Sequence, residues 1–271
     1  MPSCRGTAAL VMAAGMLLAA APAVAQLLPG GRQPTDINAD QAIEWHQDVH
    51  AYVARGNASA KKGETTVYGD VLTAYYREVP GKGNEVFQLV GDGRVRVISP
   101  NQQVFGDRIV YDMDKQVAVV TGKDLKLITA KDVVTARDSL EYYEAQNLAV
   151  ARGDAVAVRE DRRLRADVLI GQFVKGPGGT TQMQRIDGSG NVVVTTPTDV
   201  ARSEKLVYSV ADNTAVLLGN VRITRGDNQL NGDAAEMNMN TKINRVIAGP
   251  ATGGRVKGLL IPGEQQAGAT R

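Results

Sequence analysis

The chain has 271 residues, with 31 Lys and Arg against 29 Asp and Glu, a formal charge of +2. That balance excludes the dense basic excess of a nucleic-acid binder, and 43% hydrophobic residues exclude wholesale disorder. One cysteine excludes an intrachain disulfide and a cysteine zinc site, and 29 glycines with only 4% aromatics point to many regular turns rather than one large globular core.

Residues 1–25 read as a secretory signal. Arg5 is their only charge, and the apolar run from Ala8 to Ala21 is too short for a comfortable membrane span. Ala23-Val24-Ala25 is a small-residue cleavage site, so cleavage after Ala25 is expected to release a chain beginning at Gln26 into the periplasm. Cys4 would leave with the peptide. Residues 26–36 are expected to be a flexible N-terminal segment. The only histidines follow, in Trp45-His46-Gln47-Asp48-Val49-His50. Their spacing is that of a helical zinc motif, but Gln47 stands where the general-base Glu belongs and no helix is predicted. On a strand the two would share one face. No metal site and no cofactor is expected.

A duplication governs the remainder. Val53-Ala54-Arg55-Gly56 returns as Val150-Ala151-Arg152-Gly153, and Val110-Tyr111 returns as Val207-Tyr208, both at an offset of 97 residues. Laid without gaps, residues 53–111 and 150–208 agree at 18 of 59 positions. A finer period runs inside each copy. A glycine is followed 14 residues later by an acid in Gly56/Asp70, Gly93/Asp107, Gly153/Asp167, Gly190/Glu204 and Gly219/Asp233, and 16 later in Gly122/Asp138. Between these marks apolar and polar residues alternate, the signature of strands bounded by turns. The chain is therefore expected to be all-β, with about 14–16 short antiparallel strands. Residues 37–147 and 148–262 would form two repeat regions and 263–271 a disordered tail. The glycines and acids are expected at turns and strand starts, with longer hairpin tips at Pro80–Asn84 and Gly176–Thr180.

Strand phase selects an inward set. Two and four residues beyond each mark stand Val95, Val97, Ile109, Tyr111, Leu140, Tyr142, Val192, Val194, Leu206, Tyr208, Val221 and Ile223; the insertion in the third unit moves its set to Leu125 and Leu127. A one-residue register error would turn all of them outward. Such a ladder could be an elongated sandwich or solenoid with an underfilled, ligand-holding channel, or a fully packed sandwich. Its end strands, near Ile37–Glu44 and Ala234–Val246, would carry unpaired backbone groups that can accept a neighbour's strand, so head-to-tail self-association is expected.

Gly188-Ser189-Gly190-Asn191-Val192, Glu204 to Tyr208, Leu218-Gly219-Asn220-Val221, Leu230-Asn231-Gly232-Asp233 and the ending Arg255-Val256-Lys257-Gly258-Leu259-Leu260-Ile261-Pro262 resemble, in order and spacing, the LptA/OstA family of periplasmic lipopolysaccharide transport proteins. The resemblance covers about residues 35–262. It implies an open β-jellyroll folded as a V-shaped trough, with lipopolysaccharide acyl chains held against the inward set. It also implies partners with related β-trough domains in the inner- and outer-membrane transport complexes. The duplication makes the trough longer than a minimal member needs.

Other chemistry is weaker. No phosphate loop, dinucleotide fingerprint or Gly-x-Ser-x-Gly elbow occurs, and no enzyme is expected. Arg152-Gly153-Asp154 and Arg225-Gly226-Asp227 match an adhesion tripeptide at turn-like places. Arg159, Arg162, Arg163 and Arg165 form either a solvated hairpin end or a rim for lipid phosphates. An exported structural solenoid or adhesin without lipid cargo, and a β-solenoid polysaccharide lyase, remain as alternatives.

Overall fold

Alternation becomes strand along almost the whole chain. The computed structural model describes residues 35–81, 83–175, 181–238, 240–241, 243–249 and 254–260. The expected signal segment with its cleavage site, residues 26–34 of the expected flexible N-terminal segment, the tip at Gly176–Thr180 and the expected tail 263–271 lie outside these residues, whereas Asp36 already belongs to a strand. The protein is all-β: the described residues hold eighteen strands and no helix. They are β1 (Asp36–Asn38), β2 (Ala42–His46), β3 (Ala51–Lys62), β4 (Thr65–Val79), β5 (Gly83–Ser99), β6 (Gln102–Asp112), β7 (Val117–Thr121), β8 (Leu125–Thr129) and β9 (Asp132–Ala136). After them come β10 (Ser139–Tyr143), β11 (Leu148–Arg159), β12 (Arg162–Lys175), β13 (Thr181–Thr195), β14 (Asp199–Ser209), β15 (Thr214–Arg225), β16 (Asn228–Asn238), β17 (Ile243–Ile247) and β18 (Lys257–Leu259).

Four pairs of these are the halves of one broken strand. β1 and β2 both pair with β3, β7 and β8 with β6, β9 and β10 with β11, and β17 and β18 with β16. The eighteen elements are thus fourteen strands, each antiparallel to the next. Most are not short: β3 to β6 and β11 to β16 run for 11–17 residues.

The glycine and acid marks were expected at turns, and here the structure corrects the expectation. They lie within the strands, at a bend that each strand makes near its middle. Pairing jumps between Arg55 and Ala58, Asp92 and Val95, Arg152 and Ala155, Ser189 and Val192, and Leu218 and Val221. In each gap sit a glycine with φ between 74 and 80° and a following residue, Asn57, Arg94, Asp154, Asn191 or Asn220, with φ of 43–49°. Two successive left-handed residues bulge and fold a strand without ending it.

The spatial partners also differ from the sequence pairs. The acid of one strand contacts the glycine of the next: Asp70 meets Gly93, Asp107 meets Gly122, Asp138 meets Gly153, Asp167 meets Gly190, Glu204 meets Gly219 and Asp233 meets Gly249. At Gly219 the Glu204 carboxylate lies 2.5 Å from where a Cβ would stand. Asn191 Nδ2 donates to Asp167 at 2.9 Å and Arg94 Nε to Asp70 at 2.9 Å, closing the same contacts. At the first bend Gln41 replaces the acid against Gly56, and Asn57 Nδ2 donates to Asp40 at 2.7 Å.

Because every strand bends, the ladder folds lengthwise into two facing walls. One holds β2, β7, β10, β17 and the matching halves of the long strands; the other holds β1, β8, β9, β18 and the remaining halves. One apolar cluster draws on both walls, with Val95, Val97 and Val104 from the second and Ile109, Tyr111 and Leu140 from the first. The duplication is visible in the backbone. β6 at 102–112 recurs as β14 at 199–209, and the bulges at Tyr68/Val71 and Tyr75/Tyr76 recur at Arg165/Val168 and Gln172/Phe173, each 97 residues on. The ladder passes residues 147–148 unbroken, through the pairing of β10 with β11. The two copies therefore share one sheet.

Candidate functional site

The inner face is the feature the whole ladder builds. Alternation along each half-strand puts every second side chain between the walls. Val95, Val97, Ile109, Tyr111, Leu125, Leu140, Tyr142, Val192, Val194, Leu206, Tyr208, Val221 and Ile223 are all buried there, and Leu127 packs against them half-buried. The neighbours that alternation sends outward behave accordingly: Arg96 and Arg222 are exposed, and Val110 and Val207 are half-buried on the outer face. The same count from the other marks reaches Ala58, Ala60, Leu72, Ala155, Ala157, Leu169, Ala235 and Met237, which are buried as well.

Tyrosine hydroxyls reach the turns that join the strands along one rim of the trough. Tyr111 donates to Glu144 at 3.1 Å and Tyr208 to Asn213 at 3.0 Å. Burial, with the nearby Glu144 charge, pushes the Tyr142 phenol up to about 12 and raises Tyr111 further. Both therefore stay neutral at any physiological pH.

The interior is unevenly filled. Between Val104, Leu127 and Val134 on one wall and Val120, Leu140 and Leu169 on the other, free space amounts to about 70 Å³. At the first end it opens to about 410 Å³, lined by Ile37, Ile43, Tyr52, Ala54, Ala60, Lys62, Leu72, Leu89 and Met113 among others. The channel is thus roomier at its mouth than at its centre.

This mouth contains residues that strand counting from the marks missed. Leu140 and Tyr142, shifted back by 97, become Ile43 and Trp45. Both are in the inward phase, yet 57% and 56% exposed, because no strand covers β2 on its outer edge among the described residues. Trp45 stacks on Tyr52 with ring centroids 6.0 Å apart, and its Nε1 donates to the Tyr76 hydroxyl at 2.7 Å. The duplication itself was the signal that could have found them. The opposite end exposes Ile247, Val256, Leu259 and Leu260.

The remaining candidates separate. His46 and His50 do not share a strand: residues 47–50 form a turn, His46 pairs with Glu44 at 2.6 Å and His50 stacks on Tyr76. The described residues hold no cluster of metal-binding side chains. The arginine group disperses too. Arg159 is buried in a bidentate pair with Asp132, Arg165 is bonded to Asp154, and Arg163 is exposed. Arg152-Gly153-Asp154 is a strand bend, and Arg225-Gly226-Asp227 lies at the β15–β16 turn.

Residues 133–243 match the family model described as LptA/(LptD N-terminal domain) LPS transport protein. The sequence has no significant match among curated proteins. Among solved structures it is similar to LptH, the LptA homologous periplasmic component of the conserved lipopolysaccharide transport device from Pseudomonas aeruginosa. Identity is 18% and the TM-score 0.41, over 48% of this chain and 95% of that one.

Proposed function

We propose that this chain, which over residues 133–243 belongs to the LptA/LptD N-terminal domain family of LPS transport proteins, shields lipopolysaccharide acyl chains on its inner face as they cross the periplasm. The observation that carries this reading is one apolar surface running without a break through fourteen paired strands. A saturated chain of about fourteen carbons costs roughly 10 kcal/mol to expose to water. A continuous trough lowers that cost at every step, and no catalysis is needed; the energy source lies elsewhere.

The free space is larger at the mouth than at the centre, so the mouth is where an acyl chain would enter with the least rearrangement of the walls. The exported, signal-cleaved chain would pair its end strands with related β-trough domains of the inner- and outer-membrane complexes, and with further copies of itself. Both ends support this by leaving large apolar side chains in water.

Mass spectrometry of lipid co-purified from the native periplasm tests the reading. Lipopolysaccharide is the expected cargo. A lipid-free preparation that also fails to extract added lipopolysaccharide would favour the structural solenoid without cargo.

A further inference from the structure

One inward pair of the second copy loses its carboxylate in the first, and the loss leaves a charge facing apolar space. In the second copy Arg159 points between the walls. Asp132 on the adjoining strand holds it through Nε–Oδ1 and Nη2–Oδ2 bonds, both 2.6 Å, with side chains 7% and 1% exposed. Arg225 and Asp199 repeat the arrangement farther along. Shifted back by 97, Arg159 becomes Lys62 and Asp132 becomes Thr35. The cation is kept and its carboxylate is gone.

Lys62 and Thr35 both line the 410 Å³ cavity at the mouth. Lys62 makes no ion pair among the described residues, and residues 26–34 contain no carboxylate. The nearest acids along the chain point elsewhere. Asp36 alternates with Ile37, which faces the cavity, and Glu64 is an exposed turn residue. Burial alone holds the Lys62 amine below the ordinary lysine value, as expected of a cation lacking a counter-charge.

We propose that the mouth of the first copy anchors one anionic amphiphile, its alkyl chain beside Ile43, Leu72 and Leu89 and its phosphate or carboxylate on Lys62. The inference rests on the reading that the inner face takes lipid chains, and adds where a charged head is held. Arg159 and Arg225 are neutralised internally by Asp132 and Asp199, so the anchor lies at one end of the described ladder and gives the trough a polarity for loading.

Trp45 is the sole tryptophan, and it stacks on Tyr52 at the cavity wall, so its fluorescence reports occupancy. Decyl phosphate, decanol and inorganic phosphate are titrated below micelle formation, with calorimetry alongside. The parent should bind decyl phosphate about tenfold more tightly than decanol, as a charge-assisted bond at a partly desolvated site allows, and inorganic phosphate hardly at all. Lys62→Gln should remove that preference while keeping decanol affinity. Thr35→Asp, which restores the carboxylate of the second copy, should do the same. Equal binding of ester and alcohol by the parent, or a preference that survives Lys62→Gln, overturns the anchor and leaves the lipid-carrying reading standing. Failure of both alkyl ligands to bind overturns the two together. Inorganic phosphate binding as tightly as the ester would show a simple anion site and also overturn the proposal.

Discussion

Removing Asp132 strikes the most deeply buried charge pair in the described ladder. Its carboxylate is 1% exposed and accepts two bonds from Arg159, itself 7% exposed, so Asp132→Ala strands a guanidinium between the walls. Breaking a buried pair in this way costs about 3–5 kcal/mol, whereas replacing both partners with apolar residues is often neutral or stabilising by ~1–4 kcal/mol. At roughly 2–4 °C per kcal/mol for a chain of this size, Asp132→Ala should lower Tm by roughly 6–20 °C. Asp132→Val with Arg159→Met should recover most of that loss. Arg185→Ala removes an exposed pair with Asp187, of a kind worth only ~0–1 kcal/mol, and serves as the comparison. Far-UV circular dichroism on heating and in urea measures all three. Because each strand packs chiefly on its neighbours, hydrogen exchange should show the loss first in β9 and β11. A penalty for Asp132→Ala no larger than that for Arg185→Ala would refute the argument that the pair is desolvated.

Photo-crosslinkers at Val97, Tyr142, Val194 and Ile223 should capture lipid from the native periplasm, and those at Arg96, Val110, Val207 and Arg222 should not; the reverse yield would mean lipid travels on the outer face. Gly153→Ala should cost more than Gly81→Ala in urea titrations, because φ is +80 and +77° but the Asp138 carboxylate fills the Cβ position only at Gly153. The first penalty should exceed the second, itself about 1 kcal/mol, and equal penalties would remove the packing role of the acid. Burial raises the Asp199 pKa, but hydrogen bonds from Arg225 and Thr198 outweigh it and leave the net shift downward. A depressed carboxylate adds stability above its unfolded value near 4, and that stability is lost as pH falls through the folded value. The urea midpoint should therefore drop below about pH 4 in the parent, and less steeply in Asp199→Asn. Val246→Pro on the last edge should reduce concentration-dependent association by light scattering; unchanged association would exclude pairing through that strand.

The period and phase of the ladder were legible because they depend on local alternation. A valine two places beyond a glycine faces inward whether that glycine ends a strand or bends one, so Val192 and Val194 could be placed without knowing which. The bend itself was not legible. Gly190-Asn191 with both φ positive has the composition of a hairpin turn, and only pairing on both sides of the gap shows that β13 continues. For the same reason Asp167 was grouped with Gly153 in sequence, although its carboxylate rests on Gly190, which lies on the following strand. Arg159 looked like one of a surface group because spacing alone does not reveal a buried partner 27 residues earlier. Trp45 lies outside the set counted from the marks because the first glycine mark, Gly56, stands one strand after it.

The count of strands carries a rule of parity. When the fourteen strands are counted in chain order, with each broken strand as one, acids occupy the bends of the odd ones, Gln41 standing in on the first, and glycines those of the even ones. The 97-residue copy spans six strands, from β3 to its counterpart β11. An odd number would have reversed the direction of the second copy and set glycine against glycine at the seam. The fourteen strands of the described residues are even in number as well. The last strand therefore runs opposite to the first, and a molecule displaced along the ladder axis meets its neighbour in the antiparallel sense used everywhere else. Such a chain can grow or shrink through evolution by pairs of strands, and the loss of a single one would spoil both its seam and its ends.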